Sequence, residues 1–149
     1  MKITHLNERL TLIANISVVA GIVFLGLELN QNTGVMKAQA QADLTANRIS
    51  FAVRMMDPVN ADLVIKARGE DMLTASERLR YNGLQRTLLL SWEAEYYQYQ
   101  NGLLKEVPAT AWRRLYVEMP GMAEYWLSFK SSLTPEFVTF LDQMVAQEE

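Results

Sequence analysis

Glu93 and Glu95 are the residues of this chain whose types and surroundings come closest to those of a catalytic acid or base. Glu95 falls on an apolar stripe, where burial beside aromatic rings would raise the pKa of its carboxyl group and prepare it to move protons. It could instead form a buried ion pair, with Arg86, Arg113 or Arg114 as the partner. Acid–base catalysis needs several groups that converge on one pocket, which one helix does not supply. We therefore expect the ion pair, and no enzyme activity.

Aromatic side chains accompany these glutamates at helical spacing. The stripe runs through Tyr81, Leu84, Leu88, Trp92, Glu95 and Tyr99. Such a stripe usually belongs to a hydrophobic core, but with Tyr96 and Tyr97 it could also line a ligand cavity. The residues that we single out for a pocket or a buried ion pair are Trp92, Glu95, Tyr99, Trp112 and Arg113.

The composition excludes several other kinds of site. His5 is the sole histidine and the chain has no cysteine, so the usual zinc and di-iron ligand sets cannot be assembled. No nucleotide-binding loop or other cofactor motif occurs, and we expect no metal and no cofactor. The formal charge of −3 and the lack of clustered lysine and arginine argue against nucleic-acid binding.

An uncharged apolar segment near the amino end is the element around which the chain must be organised. Leu10–Leu27 holds eighteen residues without charge or proline. As a helix it covers about 27 Å, close to the roughly 30 Å thickness of the hydrocarbon core of a bilayer. The segment predicts a transmembrane helix over residues 10–29, after a polar tail at 1–9. Two alternatives are a buried helix of a soluble oligomer and a signal peptide, whose Ala38-Gln39-Ala40 cleavage site lies too far downstream.

Positive charge gives little guidance to the orientation of this span. Lys2 and Arg9 lie on one side, and Lys37 and Arg48 lie within counting distance on the other. The amino-terminal tail is short enough to cross a membrane, and the lack of cysteine gives no sign of an oxidising compartment. We therefore expect the carboxyl-terminal domain to lie in the cytoplasm.

A stripe of small residues follows one side of the predicted span. Ala14, Ser17 and Gly21 lie at positions i, i+3 and i+7, and Glu28 continues the stripe at the end of the apolar segment. Small residues let helices approach closely in lipid, and a polar residue such as Asn15 can bond across the interface. These five residues form a candidate oligomer interface.

The remainder, residues 30–149, is predicted to be one small helical bundle. Asn30–Gly34 either ends the first helix or forms a polar patch within a longer one, which Asp57-Pro58 then ends. Further helices are expected over Asn60–Arg68, from the capping box of Thr74 and Glu77 to about Leu103, from Pro108, over Met122–Leu133, and after Thr134-Pro135. Because no stretch alternates as a strand does, the fold class is all-α with an N-terminal transmembrane helix.

The order of these motifs resembles a large family of small, uncharacterised bacterial membrane proteins with one span. The resemblance lies in GLELNQNT after the apolar segment, KAQA, WEAEYYQYQNGLL, Trp112, Pro120-Gly121 and Trp126. It implies a hydrophobic helix that ends in a Gln-Asn-Thr motif, a following helical domain and a bacterial inner membrane location. Many members have an arginine after that motif, where this chain has Gly34, Val35 and Met36. The resemblance implies no activity.

Three functions are compatible with these observations, the third being an enzyme that uses Glu93 or Glu95 with a nearby arginine. The first is a membrane-anchored structural or interaction protein that contacts membrane lipid and forms a homo-oligomer or serves as an accessory subunit of a larger membrane complex. Eight methionines and abundant aromatic residues suit its adaptable packing surfaces. The alternative is a protein that binds lipid or another apolar small molecule between the long helix and the helices of Trp112 and Trp126.

Overall fold

The computed structural model describes residues 2–69 and 72–146, with side chains from Leu10 onward. Regular structure in these residues consists of six α-helices and one 3-10 turn, without a strand, so the predicted all-α fold is confirmed. The elements are α1 (Lys2–Met56), α2 (Pro58–Arg68), α3 (Ala75–Gln100), α4 (Ala109–Glu118), α5 (Met122–Phe129), the 3-10 turn (Lys130–Ser132) and α6 (Pro135–Ala146).

The chain divides into two compact units, Met1–Gln39 and Ala40–Glu149. The first unit is made by the amino-terminal part of α1. By length and composition alone, α1 is the one helix among the described residues that could cross a membrane. Its helical conformation begins at Lys2, where the sequence predicts a separate tail, because residues 2–9 contain no proline or glycine to interrupt a helix. The side chain of His5 lies outside the described residues.

The polar segment Asn30–Gly34 lies inside α1 and does not end it. A single glycine within a helix costs only about 1 kcal/mol relative to alanine, which the surrounding helix can offset. The hydroxyl of Thr33 donates to the carbonyl oxygen of Leu29 at 2.9 Å, so this polar side chain is satisfied by its own helix. Of the two possibilities that the sequence leaves open, the structure has the polar patch within one long helix.

Asp57 and Pro58 separate α1 from α2, as the sequence predicts. Proline disfavours the helical conformation of the residue before it, and Asp57 accordingly has an extended backbone. The carboxylate of Asp57 accepts a hydrogen bond from the backbone N–H of Val59 at 3.0 Å and so caps α2.

The later helices differ from their predicted limits by a few residues. α3 ends at Gln100, short of Leu103, because Gly102 adopts a left-handed conformation with φ of 68°. Pro108 lies just before α4 and is its cap position, not its first helical residue. The helix predicted over Met122–Leu133 is divided into α5 and the 3-10 turn.

Helix α3 forms the centre of the second unit. Its buried side chains are Tyr81, Leu84, Gln85, Leu88, Leu89, Trp92, Glu95 and Tyr96. Each of these residues has another of the set three or four positions away, so they share one helical face. Trp92 stacks on Trp112 of α4 with ring centroids 5.4 Å apart, and the ring of Phe137 of α6 lies at 80° to that of Trp112 with centroids 6.3 Å apart. The aromatic rings thus join α3, α4 and α6 in one core.

Buried polar groups connect α3 to the turn before α5. The carbonyl oxygen of Pro120 accepts hydrogen bonds from the hydroxyl of Tyr81 at 2.8 Å and from the side-chain amide of Gln85 at 3.0 Å. Gly121 follows with φ of 68°, a conformation that a residue with a side chain would adopt only under strain. The Pro120-Gly121 turn is therefore held by two side chains of the central helix.

A capping box starts α3 and also joins it to α2. The hydroxyl of Thr74 accepts from the backbone N–H of Glu77 at 3.3 Å, and the Glu77 carboxylate accepts from the backbone N–H of Thr74 at 2.7 Å. This is the reciprocal pair that the sequence predicts. The ammonium of Lys66 in α2 donates to both carboxylate oxygens of Glu77 at 2.9 Å.

The Glu77 carboxylate makes part of the stability of the second unit dependent on pH. The hydrogen bonds from Lys66 and Thr74 lower its pKa from 4.5 to about 2. The carboxylate of Glu77 binds a proton less tightly in the folded chain than in the unfolded chain. The ionised carboxylate therefore stabilises the fold fully above pH 4.5, and this stabilisation is lost as the pH falls towards 2. We expect Glu77→Gln to weaken the decline in melting temperature over this range, measured by circular dichroism of the purified chain.

The exposed glutamate Glu106 provides the matched control for this measurement. Glu106→Gln should leave the decline between these pH values as it is in the unaltered chain. An equal decline in the Glu77 and Glu106 variants would contradict the assignment of the effect to the capping box.

Candidate functional site

A cavity of about 200 Å³ lies among three helices of the second unit. α1 contributes Asn47, Arg48 and Phe51; α3 contributes Leu88, Ser91, Trp92 and Glu95; and the segment of α4 contributes Pro108, Ala111, Trp112 and Leu115. Leu88, Trp92, Glu95 and Trp112 are buried, whereas Asn47, Arg48 and Ala111 are exposed. The buried residues therefore form the inner wall, and the exposed ones surround the opening.

Glu95 is the ionisable group of the inner wall. Its side chain is only 4% exposed, and its Oε2 lies 3.9 Å from Nη2 of Arg48. Burial raises the pKa of Glu95 above 4.5, while the charge of Arg48 and a side-chain hydrogen bond with Trp112 act in the opposite direction. Burial is the largest of these effects. It raises the pKa because it removes water from around the charged form of the carboxyl group.

The helical periodicity of α3 and α1 explains why these residues meet. Leu88, Trp92 and Glu95 follow one another at intervals of four and three residues, so they share the buried face of α3. On α1, Arg48 occupies the same stripe as the buried Leu44 and the half-buried Phe51. Arg48 can therefore reach the cavity with its head group while its aliphatic part lies along the packed face.

The structure brings together three of the five residues that the sequence singles out for a pocket or an ion pair. Trp92, Glu95 and Trp112 all line the cavity. Tyr99 is 38% exposed and is not part of the lining. Arg113 turns to α6, where its guanidinium donates to the carbonyl oxygen of Met144 at 3.0 and 3.2 Å.

The expected partners of Glu95 were Arg86, Arg113 and Arg114, and this expectation is wrong. The cation beside Glu95 is Arg48 of α1. The guanidinium of Arg86 lies over the ring of Phe129, 5.3 Å from its centroid. Sequence spacing places Arg48 on the apolar stripe of α1 between Leu44 and Phe51, which marks it as a cation of the packed face but does not identify its partner.

Glu93, the second candidate acid or base, has a structural role. Its Oε1 accepts hydrogen bonds from the backbone N–H of Thr134 at 2.8 Å and from the Thr134 hydroxyl at 2.9 Å. Thr134 immediately precedes α6, so Glu93 connects the middle of α3 to the start of the last helix. It does not line the cavity beside Glu95.

The candidate oligomer interface lies in the first unit. Ala14, Asn15, Ser17, Gly21 and Glu28 are all exposed there. The Ser17 hydroxyl donates to the carbonyl oxygen of Ile13 at 2.9 Å, so its hydrogen-bonding requirement is met within the helix. This arrangement lets a hydroxyl group lie in an apolar environment.

A larger groove of about 430 Å³ runs beside Tyr81 and Gln85, at the turn before α5. Burial raises the pKa of Tyr81 to about 12, so its phenol stays protonated. Both side chains already donate to Pro120, which explains their burial without a ligand. Among residues 2–69 and 72–146, no three histidine, aspartate or glutamate side chains are placed to hold a metal ion.

Comparisons of the chain with protein-family models, with curated proteins and with solved structures gave no match. The resemblance to bacterial one-span proteins therefore stays a prediction from the motifs.

The ion pair with Arg48 should control the titration of Glu95. A carboxyl group whose folded pKa is raised contributes most to stability below pH 4.5, and this contribution is lost as the pH rises through the folded pKa. Arg48→Met removes the nearby positive charge, so we expect the pKa of Glu95 to rise further and the loss to shift to higher pH. Carbon NMR of the side-chain carboxyl and melting curves against pH measure both effects.

Arg54 supplies the control because it is an exposed arginine of the same helix that does not line the Glu95 cavity. Arg54→Met should leave the titration of Glu95 unchanged, and Glu95→Gln should remove the high-pH loss of stability. Equal titration of Glu95 in the two arginine variants would show that the ion pair does not influence this carboxyl group.

Proposed function

We propose that this chain is a membrane-anchored helical interaction protein. The apolar part of α1 spans a bacterial inner membrane once, and the unit from Ala40 onward lies in the cytoplasm. The exposed apolar surface of α1 associates with other copies of the chain or with a larger membrane complex. This function requires no catalytic group, and Glu93 and Glu95 both have structural partners.

The observation that carries the proposal is the apolar surface that α1 leaves uncovered in the first unit. The large aliphatic and aromatic side chains from Leu10 to Leu29 are each 55–66% exposed, and none of the most apolar window is buried. Soluble monomers rarely expose a continuous apolar surface of this extent. Hydrocarbon accepts such a helix, because all its backbone groups bond within the helix and its side chains prefer lipid to water.

A second uncovered stripe lies on the part of α1 that belongs to the second unit. It consists of the exposed residues Ala42, Ala46, Ile49, Val53 and Met56. Their intervals alternate between four and three residues, the heptad spacing of helices that pair with one another. At 100° per residue this stripe lies opposite the packed face of Ala40, Leu44, Phe51 and Met55. One face of α1 thus packs against the rest of the second unit, and the opposite face is exposed and can contact another helix.

Small residues support association within the apolar segment itself. Ala14, Ser17 and Gly21 lack side chains large enough to keep another helix at a distance, and Asn15 carries an amide that can bond across an interface. The proposal assigns helix association to this stripe in lipid and to the heptad stripe in water.

A charge at the middle of the apolar segment should prevent membrane integration. Val19→Arg places a guanidinium near the centre of the span, where arginine costs about 3 kcal/mol on insertion scales. We expect the unaltered chain to resist alkaline carbonate extraction and the variant to be released.

The orientation of the span needs a separate measurement. Since the chain has no cysteine, Lys105→Cys introduces a single thiol, and its labelling by a maleimide that cannot cross the membrane reports the side on which the second unit lies.

Val53→Arg serves as the control because it adds the same charge to the same helix outside the apolar segment. It should remain in the membrane fraction. Release of the unaltered chain by carbonate, or its solubility without detergent, would contradict the membrane anchor.

Two acidic substitutions should disrupt association through the heptad stripe. Ile49→Glu with Val53→Glu places like charges on facing helices, so an assembly of several chains should separate into single chains. The mass of the purified chain in a mild detergent, measured by light scattering, gives the number of copies. Native purification of the complex shows whether foreign subunits are lost as well.

Ser50→Glu is the matched control because it adds an acid at an exposed position beside the stripe. It should leave the mass and the subunit composition as in the unaltered chain. A single chain without partners in the unaltered protein would contradict the proposed interaction function.

A further inference from the structure

Glu95, which lines the cavity, has a buried hydrogen-bond acceptor that the fold does not satisfy. Among the described residues, Glu95 and Gln98 each have one buried side-chain oxygen without a hydrogen-bond partner. Of these two, Glu95 is the one that lines the cavity, and the unpartnered atom is its Oε2. Other buried polar side chains of the unit, such as Gln85 and the indole of Trp126, have partners at 3.0 and 2.7 Å. A buried acceptor without a donor is costly, so it suggests a missing partner.

Arg48 does not supply that missing donor. Its Nη2 lies 3.9 Å from Oε2, beyond the range of about 2.7–3.2 Å for such a hydrogen bond. Its side chain is 51% exposed, so the guanidinium is largely hydrated at the opening of the cavity. The arginine therefore offsets the charge of Glu95 and leaves the hydrogen-bonding capacity of Oε2 unused.

Apart from Asn47, Ser91 and the pair of Glu95 and Arg48, the residues that line the cavity are apolar, and several carry aromatic rings. They include Phe51, Leu88, Leu115 and the stacked pair of Trp92 and Trp112. Planar rings suit a planar aromatic ligand, which can pack on a face or an edge of an indole. The volume of about 200 Å³ exceeds that of an apolar cavity of roughly 150 Å³ known to admit benzene. A single substituted ring therefore fits.

The charges at the site favour a neutral ligand. A cationic amine or an anionic acid would bring a further charge into a largely apolar enclosure beside Glu95 and Arg48. A neutral hydroxyl or N–H group can instead donate to Oε2 and keep the ion pair in place. Hydrogen bonds to a carboxylate are stronger than those between neutral groups.

We propose that this cavity binds a neutral, single-ring aromatic compound that donates one O–H or N–H hydrogen bond to the carboxyl group of Glu95. The ring occupies the space between Phe51 and the tryptophans, and the donor lies next to the carboxylate. All the lining residues belong to the unit from Ala40 onward, so the site does not depend on membrane insertion or on association between copies.

Two probes test this site, a phenol and its methyl ether, in which a methyl group replaces the donor hydrogen. The full chain is placed in lipid nanodiscs and titrated with para-fluorophenol or with para-fluoroanisole, its methyl ether, and binding is followed by fluorine NMR. We expect the phenol to bind at least about tenfold more tightly, since the ether lacks the hydrogen bond to Glu95. Glu95→Met keeps a side chain of similar size without the acceptor, and it should abolish this preference.

A second variant keeps the test valid if Glu95→Met does not fold. Ala111 is exposed at the opening of the cavity, and Ala111→Leu adds bulk there with a residue that favours helix. It should weaken the binding of the phenol at least about fivefold, since the added side chain occupies part of the cavity. Ala123→Leu, an exposed site on α5 that does not line this cavity, is the matched control and should bind the phenol as the unaltered chain does.

Three results would overturn the proposal. The first is equal affinity of the unaltered chain for the two probes. The second is no binding of the phenol beyond its partition into empty nanodiscs, which would leave the cavity to water. The third is a preference for the phenol that persists in Glu95→Met, or binding of the phenol that Ala111→Leu does not weaken.

Discussion

The second unit depends on the burial of one face of α3 against the aromatic side chains of the other helices. Trp92 lies near the middle of this face and is 2% exposed, and its stacking on Trp112 brings α4 into position. Phe137 and Trp126 pack around the same centre from α6 and α5. Because aromatic side chains bury large apolar areas and accept only a few relative geometries, they both stabilise the unit and determine how its short helices meet.

Polar contacts at the edge of this core determine where the connecting turns lie. Pro120 is held through its carbonyl oxygen by two side chains of α3, and Glu93 holds Thr134 at the start of α6. Asp142 of α6 accepts from the indole of Trp126 and from the ammonium of Lys130. In each case a group that burial would otherwise penalise has a partner. Oε2 of Glu95 departs from this pattern, and it does so inside a cavity, which is why the site is a candidate for ligand binding.

The two proposals concern different surfaces of the chain and rest on one physical rule. Apolar surface and polar groups that the chain itself leaves without partners require a partner elsewhere. For the apolar segment of α1 and its heptad stripe, we propose lipid and other helices. For the carboxylate of Glu95, we propose a small molecule with one donor. Neither proposal requires catalysis, and each can fail without the other.

Local patterns in the sequence determined the helices and most of their limits, because caps, prolines and apolar periodicity act over a few residues. The capping box of Thr74, the break at Asp57-Pro58 and the buried stripe around Trp92 were all predictable in this way. Only the tertiary structure decided that Arg48, and not Arg113, pairs with Glu95, since that choice depends on how α1, α3 and α4 pack over long separations in sequence. The cavity and its unsatisfied oxygen arise from the same packing, so periodicity along one helix could identify a buried glutamate but not the space beside it.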